Sequence, residues 1–401
     1  MQSSMCIIQN LLALATSTLL ISIKINNCNA FTTTTLLSPI IDHVSSIPNT
    51  IAYPAAFYSA FRVGAKASVI NQPRMGNINV DAQVGSIVMR LPSGTRLRLF
   101  YPTNTTDTTF APYSTDGKQT TKGMAGMVGF RQLGLSFLLE HLADASSGCI
   151  KDAPIHNVNN LPLLIYSHGY GGNMDMATYL FRTMASKGMI VAAIEHTDGT
   201  ASSTVLEDGY ERRFNEYFMT GRQQLTRRAS ELLEAAETLP DIIQKQFNTT
   251  VGTTMLGGHS YGAPSAVLAG NGASESLNIK GLILHDPALG MGYGMLPPNG
   301  AKSRIPTISY VSDEYNKANV RYGDSTIHIR GCCHGNFVDA PLWAPKIIMR
   351  SLSLIIPACG PADPIQIHDQ LAESTASFLD SQDHTSTDVI SHDLFELVHK
   401  Q

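Results

Sequence analysis

The stretch Leu256-Gly257-Gly258-His259-Ser260-Tyr261-Gly262-Ala263 constrains this chain more than any other. It contains Gly258-x-Ser260-x-Gly262, the spacing of a nucleophile elbow. A serine oxygen is presented for attack when its residue sits on a sharp strand-to-helix turn. That turn forces the serine into a strained backbone conformation and brings neighbouring backbone too close for side chains. Glycine two residues before and two after relieves the crowding. The flanks agree: Thr249 to Leu256 is β-branched and apolar enough for a strand, and Ala263 to Ala269 has only Pro264 as a breaker. Proline is tolerated in a first helical turn. The bland alternative is a glycine-rich turn with an exposed serine.

The rest of the pattern alternates in the same way. Leu163 to Tyr166 is a continuous apolar run, as expected of a central parallel strand, and Ser167-His168-Gly169-Tyr170-Gly171-Gly172 is a flexible turn after it. Met174 to Lys187 is predicted helical and ended by Gly188; Met189 to Ile194 is the next strand. Gly85 to Tyr101 is predicted as a hairpin turning at Pro92-Ser93-Gly94, and Thr103 to Lys122 as an exposed loop. Gln223 to Leu239 is an amphipathic helix that Pro240 is expected to stop, with Arg227, Arg228, Glu231, Glu234 and Glu237 as a solvated face. Strands at Lys280 to Leu284, Ile305 to Val311 and Thr326 to Arg330 complete the series, the last of these being the final strand expected. The fold class is α/β: a mostly parallel central sheet with helices on both faces.

A serine nucleophile on such a sheet needs an acid and a histidine, in the chain order serine, acid, histidine, on loops at the carboxyl ends of strands. Asp286 and His334 meet these demands. Asp313 and Glu314 also follow a strand and are rival acids. His259 lies inside the elbow, His285 precedes the acid and His328 is mid-strand, which leaves His334 as the candidate base. Acyl transfer also needs two backbone N–H groups aimed at the developing oxyanion. One belongs to the residue after the nucleophile, Tyr261; the other comes from the turn after the earlier strand, here Tyr170. Cys332-Cys333-His334 has no second ligand pair at zinc spacing, and neither a phosphate-binding loop nor a dinucleotide fingerprint occurs, so no metal and no cofactor are expected.

Ile7 to Ile23 is almost entirely apolar or small, and Cys28-Asn29-Ala30 is an acceptable cleavage site, so residues 1–30 read as a targeting segment. An uncleaved membrane anchor is the alternative. Residues 31–50 read as a leader or pro-segment, 51–385 as one domain and 386–401 as a tail. Phe31 followed by four threonines suits the bipartite leader of a complex plastid; otherwise the address is secretory or endomembrane. The sequons at Asn104 and Asn248 suit passage through the endoplasmic reticulum. Cys149, Cys332, Cys333 and Cys359 read as buried thiols, with room for one bridge. A formal net charge of -4 offers no basic surplus for nucleic acid. Met124 to Leu142 is densely apolar: a lid or interfacial helix that meets a lipid surface, or, as the default, a buried one.

The sequence resembles the platelet-activating factor acetylhydrolase family, the calcium-independent lipoprotein-associated phospholipases. The segments that carry the resemblance are Leu97-Arg98-Leu99-Phe100-Tyr101-Pro102, Tyr166-Ser167-His168-Gly169 and Val191-Ala192-Ala193-Ile194-Glu195-His196-x-Asp198. Further matches are Gly258-His259-Ser260, Ser303-Arg304-Ile305-Pro306, Glu314-Tyr315 and Ile329-Arg330-Gly331-x-x-His334-x-Asn336-Phe337. The resemblance implies an α/β-hydrolase fold and a triad on Ser260, Asp286 and His334, with oxyanion amides on Tyr170 and Tyr261. It also implies hydrolysis of short or oxidised sn-2 acyl groups of phospholipids. This chain departs from the family after the elbow serine (Tyr261-Gly262-Ala263) and after the acid, where Pro287-Ala288 replaces bulky aromatics. A chlorophyll ester hydrolase, a general carboxylesterase and an inactive hydrolase fold used for binding are the other readings.

Overall fold

Residues 83–127, 130, 136–156, 158–344, 349–350, 353, 358–380 and 393–400 are described in the computed structural model. The expected targeting segment and leader lie outside them, as do parts of the Met124 to Leu142 stretch and of the expected tail.

The strands are β1 (Gln83–Arg90), β2 (Arg96–Thr103), β3 (Phe110–Pro112), β4 (Ser146–Lys151), β5 (Leu161–Ser167), β6 (Ile190–Glu195), β7 (Ser203–Val205) and β8 (Glu211–Arg213). They continue with β9 (Val251–His259), β10 (Ile279–His285), β11 (Thr307–Val311), β12 (Ser325–Ile329) and β13 (Phe395–Lys400). The helices are α1 (Lys118–Met127), α2 (Thr178–Ser186), α3 (Gly221–Phe247), α4 (Gly262–Gly272), α5 (Asp313–Lys317) and α6 (Pro364–Asp380). One 11-stranded sheet runs β13-β12-β11-β10-β9-β5-β6-β2-β1-β4-β3. Its centre, from β6 through β5, β9, β10 and β11 to β12, is parallel throughout.

Side chains alternate between the two faces, as the two-residue period of a strand requires. Leu164, Tyr166, Val191, Ala193, Met255 and Ile283 join one core with Leu180, Phe181 and Met184 of α2 and Ile367 and Leu371 of α6. Their neighbours Leu163, Ile165, Ala192, Ile194, Leu256 and Leu284 join the other, with Leu232, Leu239 and Ile243 of α3 and Ala266 and Val267 of α4. Helices therefore cover both faces, and the strands between them are buried on both sides.

The structure departs from the sequence expectations at five places. Helix α3 does not stop at Pro240 but runs on to Phe247. A proline inside a helix costs about 3 kcal/mol. Beyond it, however, Ile243 is fully buried and the Phe247 ring packs 5.7 Å from that of Tyr101. Full burial of Ile243 is worth roughly 1.5–3 kcal/mol, and together with the partly buried Phe247 ring it offsets the break. On the same helix, Arg228 and Glu231 are not solvated but 0 % and 1 % exposed. The stretch expected as an exposed loop after Thr103 contributes β3 and the start of α1. Helix α2 begins at Thr178, four residues later than expected, after a turn held by Asp175 and Asn173. Finally, part of the expected tail forms β13, antiparallel to β12 with Phe395 in the core, so β12 is not the final strand.

The apolar stretch 124–142 takes its default form where it is described. Met124, Leu139 and Leu142 pack with Tyr113, Tyr179 and Trp343 in a satellite core. Cys149, Cys332, Cys333 and Cys359 are buried free thiols.

Candidate active site

Register brings the candidate residues together. Ser167 at the end of β5 pairs with Gly258 of β9, and His285 at the end of β10 pairs with His259. The turn at Gly169-Tyr170, the elbow at Ser260 and the carboxylate of Asp286 thus leave adjacent strands at the same level. This is the edge where ligands gather in open parallel sheets.

Ser260 has φ 55, left-handed backbone that a β-carbon disfavours. Strand geometry ends at His259 and α4 begins at Gly262, so the serine occupies the turn itself. Its N–H donates to the His285 carbonyl at 2.9 Å, and its own carbonyl accepts from Ala288 at 3.1 Å. The glycines answer a measurable crowding. A β-carbon on Gly262 would lie 2.0 Å from the Ser167 carbonyl oxygen, and one on Gly258 would lie 2.3 Å from the Gly262 carbonyl carbon. Neither contact is physically attainable. The turn after β5 comes equally close: a β-carbon on Gly169 would meet that of Ser260 at 3.1 Å.

Asp286 also has positive φ and is wholly buried. Its Oδ1 accepts the Ser312 N–H at 2.7 Å, and its Oδ2 lies 2.8 Å from His334 Nδ1. A carboxylate only accepts, so Nδ1 carries the proton and Nε2 keeps its lone pair for a substrate or a hydroxyl. Two rings pack on the imidazole: Tyr315 stacks on it with centroids 5.2 Å apart, and the tilted His259 ring lies 4.5 Å away. His259 Nε2 is 3.2 Å from the His334 carbonyl, which pins the loop. Ser260, His334, Tyr315 and Tyr170 are all partly exposed, so solvent reaches the nucleophile and the base.

Of the other candidates, Glu314 is exposed and the rest are committed elsewhere. Asp313 Oδ1 is 2.8 Å from His328 Nε2 and accepts from the Gly331 N–H at 3.3 Å. His285 is buried against Tyr166, its Nδ1 2.7 Å from the phenol oxygen, and burial pushes its pKa down to about 3. Burial likewise holds His259 well below the ordinary histidine range. Among the described residues no cluster of three or more histidine, cysteine or acidic side chains could hold a metal ion.

Two groups near the site escape sequence reasoning. Tyr315 gives no periodic signal, and the Glu314-Tyr315 match to the family was its only sign, with no role attached. The second is a buried polar cluster behind the Ser167–Tyr170 turn, built from His196 and Asp198 after β6 and from Arg228 and Glu231 on α3. Two acids and a histidine closing an apolar strand were the available sign, since buried charges demand partners.

A family profile described as platelet-activating factor acetylhydrolase, isoform II, matches residues 67–251. Platelet-activating factor acetylhydrolase of Bos taurus is 25% identical over 346 residues, covering 75% of this chain and 76% of that protein. This chain is a relative of the platelet-activating factor acetylhydrolase family. It is a serine ester hydrolase. The Cavia porcellus acetylhydrolase is 27% identical over 306 residues, or 64% of this chain and 66% of that one. Among solved structures, the ferulic acid esterase from Streptomyces cinnamoneus superposes with a TM-score of 0.56 at 18% identity, covering 82% of this chain and 99% of that one. That likeness concerns the fold, α/β-hydrolase.

Proposed function

We propose that this acetylhydrolase relative removes short or oxidised sn-2 acyl groups from phospholipids by two-step acyl transfer, with Ser260 as nucleophile, His334 as general base and Asp286 as its orienting acid. The observation that carries the reading is the His334 Nδ1–Asp286 Oδ2 contact of 2.8 Å beside a serine in left-handed backbone. The ring nitrogen left unprotonated takes the proton of Ser260 as it attacks the ester carbonyl. Asp286 holds the tautomer and stabilises the imidazolium that forms. The N–H groups of Tyr170 and Tyr261 receive the oxyanion. Water then attacks the acyl-enzyme with His334 again as base, and the acid and the lysophospholipid leave. Kinship with acetylhydrolases supports a phospholipid substrate, and the Ser-His-Asp set supports a reaction that needs no calcium.

The test is direct. A fluorophosphonate should label Ser260, and Ser260→Ala should lose both the label and ester hydrolysis, while a chelator leaves the parent enzyme unchanged. Full labelling of the alanine variant would overturn the assignment. We further propose a secretory or endomembrane location, supported by the apolar run Ile7 to Ile23 and by the exposure of Asn104 and Asn248.

A further inference from the structure

Arg228 is 0 % exposed, and its guanidinium reaches the backbone of the turn after β5 and the side chain of the residue after Ser260. Nη1 donates to the carbonyl of His168 at 2.6 Å, one residue before Gly169 and two before Tyr170. The guanidinium carbon lies 5.0 Å from the centre of the Tyr261 ring, and the Tyr261 and Tyr170 rings meet edge to face at 5.5 Å. On its other side Nε donates to Asp198 Oδ2 at 2.8 Å, and Nη2 donates to Thr200 Oγ1. Asp198 is equally buried, and the Arg228 charge helps hold its carboxyl down to about 2, so the pair stays ionic.

The turn is gripped from a second direction. The backbone N–H of His196 donates to His168 Nε2 at 3.3 Å, and His168 Nδ1 therefore donates to the Gly169 carbonyl at 2.8 Å. His196 Nε2 lies 2.7 Å from Ser167 Oγ, and its Nδ1 lies 2.7 Å from Glu231 Oε2. Ser167 and His168 are thus fixed by partners on α3 and after β6, and His168 in turn holds the Gly169 carbonyl.

We propose that Arg228, anchored by Asp198, is a positioning residue that sets the oxyanion amides of Tyr170 and Tyr261 relative to one another; this rests on the assignment of those amides above. A buried ion pair is a poor stability device, because desolvation offsets most of its attraction and apolar replacements are often as stable. What the pair supplies is geometry. A guanidinium is a rigid planar fork that serves several acceptors at once, whereas an ammonium is a point charge on a flexible stem. Oxyanion donors act only when they are already in place, and a displacement of about 1 Å can cost roughly 10²-fold.

The experiment uses the full chain with Arg228→Lys, Asp198→Asn and Thr200→Val, each checked for folding by thermal melt. The readouts are kcat, KM for a short-chain ester, and affinity for a trifluoromethyl ketone, which forms an oxyanion on the nucleophile. Arg228→Lys keeps the charge and loses the fork, so kcat should fall about 10²-fold with KM unchanged. Ketone affinity should fall in parallel. Asp198→Asn should lose less, and Thr200→Val, the mildest change, about 2- to 10-fold. If the lysine variant fails to fold, the other two carry the same test. Folded variants with kcat and ketone affinity within twofold of the parent, or with the loss confined to KM, would overturn the positioning role. Fluorophosphonate labelling of the parent separates the two failures. An unlabelled Ser260 defeats the catalytic assignment. A labelled Ser260 with unaffected variants defeats only this inference.

Discussion

Asp313 Oδ1 engages His328 at 2.8 Å, and this contact separates two carboxylates that both follow strands. The other, Asp286, reaches His334 at the same distance. Asp286→Asn should lower kcat by about 10⁴ if the carboxylate fixes the imidazole tautomer, as in other serine triads. Asp313→Asn should stay within a few fold of the parent, because its partner lies on β12 and does not touch Ser260. Steady-state kinetics on one soluble ester, with melting curves for both variants, checks the pair. The reverse order of effects would transfer the role.

The elbow is legible in the sequence because its requirement is local. Gly258 answers crowding within five residues, and although Gly262 is crowded by the distant Ser167 carbonyl, the five-residue spacing alone announces the turn. Asp286 and Asp313 are not separable by that route, since the choice depends on register between β9, β10 and β11. Arg228 and Glu231 are hidden for a related reason. A charged stripe on a helix reads the same whether it faces water or an acid 30 residues away in sequence, as Asp198 is from Arg228. Pro240 misleads because the local rule is correct and is outweighed by Ile243 and Phe247, whose burial only tertiary structure reveals. The short alternation in Phe395–Lys400 is too weak by itself to announce an edge strand.

Tyr315 stacks on His334 with ring planes 8° apart, and its hydroxyl lies beside Ser260, with burial pushing its pKa up to about 12. A stacked aromatic partner is worth about 0.5–1.5 kcal/mol. Tyr315→Ala frees the imidazole and should lower kcat by roughly 2- to 10-fold. Tyr315→Phe keeps the stack and should stay near the parent. A phenylalanine variant as damaged as the alanine one would show that the hydroxyl carries the effect.

Asp339 is buried against α2, where the Tyr179 N–H donates to both of its oxygens, and burial pushes its pKa up to about 8. Glu195 and Glu231 are raised in the same way to about 7. A carboxyl raised above its unfolded value binds its proton more tightly when folded. Its stabilising contribution is complete below the ordinary carboxylate range and is lost as pH rises through the folded value. The melting temperature should therefore fall between about pH 4.5 and pH 8. Asp339→Asn should flatten part of that slope, since an amide cannot ionise. An unchanged slope in the asparagine variant would show that Asp339 is not the titrating group.

The acyl-chain preference follows from the walls around Ser260. The Tyr261 ring meets Tyr170 at 5.5 Å and Tyr293 at 6.5 Å, and Tyr170 meets Phe214 at 5.2 Å, so successive aromatic edges brace one another beside the nucleophile. A site walled by braced rings would have a fixed depth. Each methylene added to an acyl chain gains about 0.8 kcal/mol until that depth is filled. Beyond it, further carbons stay in water or force the rings apart, and kcat/KM should fall. The check is kcat/KM across sn-2 acyl lengths on one phospholipid headgroup, with chlorophyll under the same detergent condition. A maximum at short chains is expected. Activity that climbs steadily with chain length, or a clear preference for chlorophyll and its long phytyl alcohol, would overturn the phospholipid reading and leave the Ser260, Asp286 and His334 assignment standing.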